Sequence, residues 1–209
     1  MNKIVKDPQK VERILGASLN HFANQRYQRT KVDEIASDAN VSKGIVFRYF
    51  KNKANLYLET LKYALENFNG KIDYSIWLDA KDMSEMIVQA TTYKIKLQQK
   101  YPKEFRLLLD AYANANDFSD EFNAQVQKVY AENSQAPTEL ILPVLKRMNL
   151  REDVQIDDAL RMINGVILQI TEESKIFVHE HPDGDLKDMT EIIAHAKTYM
   201  DIFERGIQK

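Results

Sequence analysis

Apolar residues recur at intervals of three and four along almost the whole chain, and this spacing limits its fold more than any other feature. Near the carboxyl end, for example, Ile192, Ala196, Met200 and Phe203 follow one another at helical intervals. No segment sustains the alternation of apolar and polar residues that is typical of a half-buried strand. The five prolines and six glycines mostly separate such segments. The sequence therefore predicts an all-α protein of about nine helices.

Composition excludes several classes of function. The chain has 209 residues, of which 44% are hydrophobic, and this is enough for a substantial core. It contains no cysteine, so it has neither disulfides nor a thiolate nucleophile nor a cysteine-based zinc site. No apolar run approaches the length of a membrane span, and the amino terminus lacks the apolar core of a signal peptide. We expect a cytoplasmic protein that does not contact a membrane.

Charge is unevenly distributed along the chain. Residues 1–56 hold eleven Lys and Arg against five Asp and Glu, a net charge of +6, whereas the remaining residues carry a net charge of −8. A basic segment attached to an acidic body indicates that the basic part binds a polyanion. A chance fluctuation of solvated surface charge remains the alternative.

Residues 30–50, TKVDEIASDANVSKGIVFRYF, contain two helix starts separated by one tight turn. Thr30, with Asp33 three residues on, predicts a capping box at the first start, and Ser42 predicts a cap at the second. Asn40 stands at the turn, where asparagine tolerates a positive φ better than most residues. Two short helices joined in this way form a helix-turn-helix, which places its second helix in the DNA major groove.

The segment from Thr30 to Lys53 resembles the TetR family of bacterial transcriptional repressors. The residues that match the family pattern are Thr30, Ile35, Ala36, Ala39, Val41, Ser42, Gly44, Tyr49, Phe50 and Lys53. Two residues depart from it: Asn40 replaces the usual turn glycine, and Phe47 replaces a tyrosine whose hydroxyl typically binds a backbone phosphate. The resemblance implies a DNA-binding domain over residues 1–52 and a ligand-binding and dimerisation domain over residues 53–209.

The second helix of the motif carries most of the predicted DNA contacts. Lys43 and Arg48 offer charged donors, and Arg48 compensates for the hydroxyl that Phe47 lacks. Gly44 allows the backbone to approach the groove, while Val46 and Phe50 are expected in the core. The full set of predicted DNA-binding residues is Thr30, Ser42, Lys43, Gly44, Ile45, Phe47, Arg48, Tyr49 and Lys53. Thr30, Tyr49 and Lys53 are included because they match phosphate-binding positions of the family.

The body is expected to form a homodimer, because one helix-turn-helix contacts too little DNA to select a single site. The last two helices have broad apolar stripes, and in the family these helices form a four-helix bundle across the two-fold axis. The predicted interface residues are Ile163, Val166, Ile170, Phe177, Ile193, Ala196, Met200 and Phe203. Packing of these stripes inside one subunit remains open as the alternative.

The middle of the body is rich in aromatic residues. The family resemblance implies a small-molecule pocket in this region, whose largely apolar occupant releases the protein from DNA. The predicted pocket residues are Trp77, Tyr93, Phe105, Tyr112, Tyr130 and Gln169. For each of them, an ordinary place in the core is the alternative.

The leading hypothesis is a transcriptional regulator, most simply a repressor, that binds a palindromic operator as a dimer and is not an enzyme. The alternatives are a helical DNA-binding protein without effector control and a helical-bundle enzyme, although the chain lacks the usual catalytic motifs. No cofactor is expected. A metal site is disfavoured as well, because His179 and His181 do not share a helix face and, together with His195, match no zinc motif.

Overall fold

A computed structural model describes residues 5–113, 118–133, 137–181 and 188–208. Among these residues there are eleven α-helices and no strand, so the all-α class is confirmed and the predicted number of about nine helices is too low. The helices are α1 (Pro8–Arg29), α2 (Val32–Asp38), α3 (Lys43–Phe50), α4 (Lys53–Asn69), α5 (Ser75–Leu78), α6 (Met83–Lys100), α7 (Pro102–Ala113), α8 (Asp120–Asn133), α9 (Pro137–Arg147), α10 (Ile156–Glu180) and α11 (Thr190–Ile207). Sequence reasoning missed the four-residue α5, because so short a helix has no periodic signal.

Side chains just before several helices satisfy amides of the first turn, and Ser42 does so as predicted. Asp7 Oδ1 accepts a hydrogen bond from the amide of Gln9 at the start of α1 (3.0 Å). The corresponding acceptors are Ser42 at α3, Asp82 at α6 and Ser119 at α8. Each cap fixes where its helix begins, because it satisfies an amide that has no partner within the helix.

Thr30 is a correction to the predicted capping box. Helix α2 begins at Val32, and the residue before it, Lys31, makes no capping hydrogen bond through its side chain. The Thr30 hydroxyl instead donates to the carbonyl of Arg26 (2.8 Å), so it closes the end of α1 rather than the start of α2. Arg26 has a positive φ of 60°, so the regular helix is interrupted near the end of α1, at the residue whose carbonyl Thr30 binds.

The described residues form two compact units. The first takes its residues from Met1–Lys71 and Tyr101–Ser134 and contains α1–α4, α7 and α8. The second takes its residues from Ile72–Lys100 and Gln135–Lys209 and contains α5, α6 and α9–α11. The predicted boundary between residues 52 and 53 separates a DNA-binding part from a ligand-binding and dimerisation part, and it does not coincide with the limits of the two compact units. It stays a prediction.

The core of the first unit lies between α1, α4, α7 and α8. Ile14 and Phe22 of α1 and Leu56 and Tyr57 of α4 are completely buried. The rings of Phe22 and Tyr57 meet edge to face, with 4.9 Å between their centroids, a favourable geometry for aromatic pairs. This core provides the rigid support on which α2 and α3 rest.

The second unit is organised around the packing of α11 on α6 and α10. The amide of Ser84, at the start of α6, donates to Glu204 Oε1, near the end of α11 (2.8 Å). This bond joins the start of α6 to the end of α11. Ile163, Met200 and Phe203 are among the residues that fill the interior of this unit.

The cap of α1 gives a stability prediction. Asp7→Ala is expected to lower the free energy of unfolding by about 1 kcal/mol, because an amide of the first turn loses its acceptor. Urea unfolding followed by circular dichroism measures the change. Glu12→Ala is the matched control: Glu12 is an exposed acidic residue of the same helix, and its replacement should change stability by less than about 0.5 kcal/mol. Equal effects of the two substitutions would contradict the capping role.

Candidate nucleic-acid interface

The helix α3 has one buried face and one exposed face. The buried residues are Val46, Tyr49 and Phe50, which pack into the core of the first unit. The exposed residues are Lys43, Gly44, Phe47 and Arg48. The core assignment of Val46 and Phe50 is therefore confirmed, and the polar face of α3 is accessible along the whole helix. The Phe47 ring is 37% exposed, so part of it is accessible from outside the chain.

The turn before α3 has the predicted backbone conformation. Asn40 has a φ of 52°, in the left-handed region that asparagine tolerates better than most residues. Immediately after it, the amide of Val41 donates to the carbonyl of Ala36 at the end of α2 (3.0 Å). Asn40 therefore replaces the usual glycine of this turn without disrupting it, and α2 and α3 are joined as a helix-turn-helix.

Two residues of α1 hold α2 in place. Arg13 Nε donates to the carbonyl of Ala39, just past α2 (3.1 Å). The His21 ring lies 2.7 Å from Asp38 Oδ2, and its side chain is largely covered. Together these contacts hold the carboxyl end of α2 against α1, the longest helix of the first unit. They therefore fix the position of the helix that precedes α3.

The start of α3 is suited to an anion. Ser42 Oγ accepts from the amide of Ile45 (3.4 Å), while the first amides of a helix lack intrahelical partners and point outward. These donors, with the positive end of the helix dipole, favour a phosphate. At Gly44, an added Cβ would come no closer than 3.8 Å to Ser42 Oγ, so the interior of the chain gives no reason for a glycine here.

The cations of the exposed face differ in how they are held. Lys43 Nζ donates to Asp33 Oδ2 (2.8 Å) and lies 5.9 Å from the centroid of the Phe47 ring. Arg48 is exposed and makes no ion pair with any described residue. The same holds for Arg29 and Lys51, which sequence reasoning did not single out. Their charge was visible in the sequence, but their lack of an ion-pair partner among the described residues was not.

The other predicted contact residues lie deeper. Tyr49 is buried, and its hydroxyl accepts a hydrogen bond from the amide of Asp7 (3.1 Å). Thr30 is only 2% exposed, so its hydroxyl faces the chain itself. Ile45 is half-buried and packs against the core of the first unit. These three side chains pack inside the first unit and contribute little to the outer surface of the motif.

Lys53, at the start of α4, is half-buried. Its Nζ donates to the carbonyl of Gln28 (3.3 Å) and lies 4.6 Å from the centroid of the Tyr27 ring. Burial lowers the pKa of the Lys53 amine from its ordinary value. This lysine therefore connects α4 to the end of α1, and its side chain is only partly exposed to solvent.

The residues predicted to line an effector pocket are divided between the two units. Trp77 and Tyr93, in the second unit, meet edge to face at 5.6 Å, and Gln169 is exposed on α10, where it donates to Glu173. Tyr112 and Tyr130, in the first unit, meet at 6.1 Å. Phe105, also in the first unit, contacts Phe68. The structure thus brings these residues together as pairs and not as one cluster within one unit.

Half of the predicted interface residues are buried inside the second unit. Ile163, Ala196, Met200 and Phe203 are each at most 4% exposed. The half-buried residues of the set are Val166, Ile170, Phe177 and Ile193. Four other apolar residues of these two helices are each more than half exposed, namely Met162, Leu168, Ile176 and Ile202.

Among the described residues, no group of three or more His, Asp or Glu is suited to a metal ion. His195 Nδ1 lies 3.3 Å from Glu173, and His181 contacts the Phe177 carbonyl. The side chain of His179 lies outside the described part of the chain. No helix in the described ranges is both long and apolar enough to span a membrane.

A capped, exposed, cationic second helix on an all-α scaffold defines a helix-turn-helix protein. Residues 14–60 match the family described as bacterial regulatory proteins, tetR family, which covers α1 to the first half of α4. This match agrees with the TetR resemblance that the sequence pattern indicated over residues 30–53.

One curated relative resembles part of the chain, and two solved structures share its fold. The chain is 32% identical over 80 residues to the HTH-type transcriptional regulator HbdR of Aromatoleum sp. (strain CIB), with 36% of this chain and 35% of HbdR covered. It thus spans about a third of the length of this curated relative. A TetR-family regulator from Mesorhizobium loti MAFF303099 shares the fold, with a TM-score of 0.63, 18% identity and coverage of 98% and 100% of the two chains. FadR from Bacillus subtilis, solved in complex with stearoyl-CoA, shares it with a TM-score of 0.58, 18% identity and coverage of 94% and 99%.

Proposed function

We propose that this chain is a transcriptional regulator that binds double-stranded DNA through the exposed face of α3. The observation that carries the proposal is the composition of that face, on which Lys43, Gly44, Phe47 and Arg48 are accessible together. A helix with this face fits the major groove, where cations reach bases or phosphates and an apolar ring meets thymine methyl groups. Every protein named above as similar is a transcriptional regulator and not an enzyme.

Electrostatics supports the same surface. Arg29, Arg48 and Lys51 are exposed and have no ion-pair partner among the described residues. Arg48 lies on α3, Lys51 directly follows it, and Arg29 is in the last turn of α1. Unpaired cations bind phosphates without first losing an internal ion pair, whereas Lys43 must leave Asp33. We therefore assign phosphate contacts to Arg29, Arg48 and Lys51 in addition to Lys53, and we assign base contact to the first turn of α3.

A homodimer formed through α10 and α11 is the second part of the proposal. Gly165 lies at the middle of the exposed face of α10, with Met162 and Leu168 on either side of it and Ile176 further along. An added Cβ at Gly165 would meet nothing within 4 Å, so its own subunit gives no reason for a glycine that weakens the helix. A glycine at this position lets a helix from a second copy approach closely, and this would explain why a glycine is present.

Control by a small, largely apolar effector is the third part. B. subtilis FadR, which shares the fold, binds stearoyl-CoA. We propose that an apolar effector binds this chain as well and shifts it away from the DNA-binding state, because a ligand changes an equilibrium when it binds the two states unequally. Release of DNA by the effector makes the protein a repressor, located with its DNA in the cytoplasm.

Footprinting tests the proposal on the DNA upstream of the protein's own gene. We expect protection of a palindrome whose half-sites are centred about one helical turn or a multiple of it apart. Protection should persist when excess unrelated DNA is added. Uniform weak protection without a preferred site would contradict sequence-specific regulation and would favour a helical protein that binds DNA without discrimination.

A further inference from the structure

A cleft of about 350 Å³ opens on the first unit, where the end of α1 and the starts of α4 and α8 meet. All the residues that line it belong to this one unit. The volume lies within the range of about 300 to 1,000 Å³ that is typical of small-molecule sites. None of the residues predicted from the sequence to bind DNA or effector lines this cleft.

Four residues with carboxamide side chains line the cleft, namely Gln28, Asn52, Asn55 and Gln125. Asn52 uses its Oδ1 to cap α4 through the amide of Asn55 (2.8 Å), which leaves its NH₂ group directed elsewhere. The side-chain amides of Gln28, Asn55 and Gln125 make no hydrogen bond with any described residue. Each carboxamide offers two donors and one acceptor, so the walls present both kinds of group at several points.

A carboxylate completes the polar part of the lining. Glu121, in the first turn of α8, is exposed and has no ion-pair partner among the described residues. An ionised carboxylate only accepts hydrogen bonds, and its two oxygens match a pair of adjacent N–H donors. Its charge disfavours an anionic occupant.

The remaining wall is aromatic and held by internal contacts. The ring centroids of Tyr27 and Phe122 are 5.2 Å apart, and those of Phe118 and Phe122 are 4.9 Å apart. The third distance, between Tyr27 and Phe118, is 5.6 Å. Three rings in mutual contact form a preformed apolar wall against which a planar ring packs well.

We propose that this cleft binds a small uncharged heteroaromatic molecule of the purine type. Its ring packs against Tyr27 and Phe122, its adjacent N–H donors bind Glu121, and its remaining edge groups bind the carboxamides. Stacking on aromatic side chains combined with hydrogen bonds to the ring edge is the general way in which proteins recognise such rings. A purely apolar occupant would leave the carboxylate and the amides unpaired, at a cost in affinity.

Guanosine is the probe that tests this proposal, because its ring edge carries adjacent N–H donors. NMR of the full chain follows the side-chain NH₂ signals of Gln28, Asn55 and Gln125 during a titration with guanosine. We expect these signals to shift in a saturable manner with a dissociation constant below about 1 mM. Glu121→Gln is expected to weaken binding at least about tenfold, because a charge-assisted hydrogen bond is lost.

Gln125→Leu and Gln127→Leu form a matched pair for this experiment. Both glutamines are exposed on α8, but only Gln125 lines the cleft. Gln125→Leu should weaken guanosine binding several-fold, and Gln127→Leu should leave it unchanged. Because both sites are exposed, the variants are expected to fold, and thermal unfolding verifies this. No saturable shift up to about 5 mM guanosine, or equal binding by the two variants, would overturn the proposal.

Discussion

Gly44→Leu is expected to weaken DNA binding by at least about 100-fold, equivalent to about 2.8 kcal/mol, while the protein remains folded. In the free chain, Cβ has room at this position, and leucine is a better helix former than glycine. The loss of DNA affinity therefore arises only in the complex, because the added side chain keeps α3 away from the groove. Fluorescence anisotropy with a labelled operator duplex measures affinity, and thermal unfolding measures stability.

Gly16→Leu provides the control for this experiment. Gly16 lies on α1, outside α3 and outside the proposed dimer helices, and an added Cβ there also meets nothing within 4 Å. Its replacement should leave DNA affinity within about twofold of the original protein. If Gly44→Leu also keeps its affinity, α3 does not approach DNA closely and the proposed docking is wrong.

The double substitution Met162→Glu with Ile176→Glu is expected to convert the dimer into monomers. Both side chains are more than half exposed on the face of α10 that carries Gly165. Burial of two such side chains contributes about 3 to 6 kcal/mol to association, and buried unpaired carboxylates would add a further cost. Sedimentation velocity measures the oligomeric state, and affinity for a palindromic duplex should fall with it.

Val88→Glu is the control for the interface, because Val88 is an exposed apolar residue of α6, outside α10 and α11. This variant should sediment as the original protein does. A double variant that still sediments as a dimer would exclude this face of α10 as the interface. An original protein that is monomeric at micromolar concentration would contradict the proposed dimer altogether.

Local features of the fold were predictable because they depend on residues a few positions apart. The caps at Asp7, Ser42, Asp82 and Ser119 and the positive φ of Asn40 are of this kind. The prediction for Thr30 failed because α2 begins at Val32, so the residue at the capping position is Lys31 and not Thr30. The Thr30 hydroxyl instead donates to the Arg26 carbonyl near the end of α1.

Long-range packing was the part that the sequence did not reveal. Ile163, Met200 and Phe203 lie on the strongest apolar stripes, but periodicity does not tell whether another helix of the same chain covers a stripe. In the second unit α10 and α11 bury these residues, which leaves Met162 and Ile202 exposed instead.

The cleft of the first unit was unpredictable for the same reason. Gln28, Asn55 and Gln125 come from or adjoin three helices that are distant in sequence, and nothing in the local pattern of each one distinguishes it from an ordinary surface residue. The exposed face of α3 was largely predictable, because eight consecutive residues determine both of its faces.

The salt dependence of DNA binding tests the central claim most directly, with Arg48→Ala compared to Lys146→Ala. Both substitutions remove one exposed cation that has no ion-pair partner among the described residues, one on α3 and the other on α9. The slope of log affinity against log salt concentration should decrease by about one unit for Arg48→Ala and stay unchanged for Lys146→Ala. Equal slopes for Arg48→Ala and the original protein would contradict a DNA-binding role for the exposed face of α3.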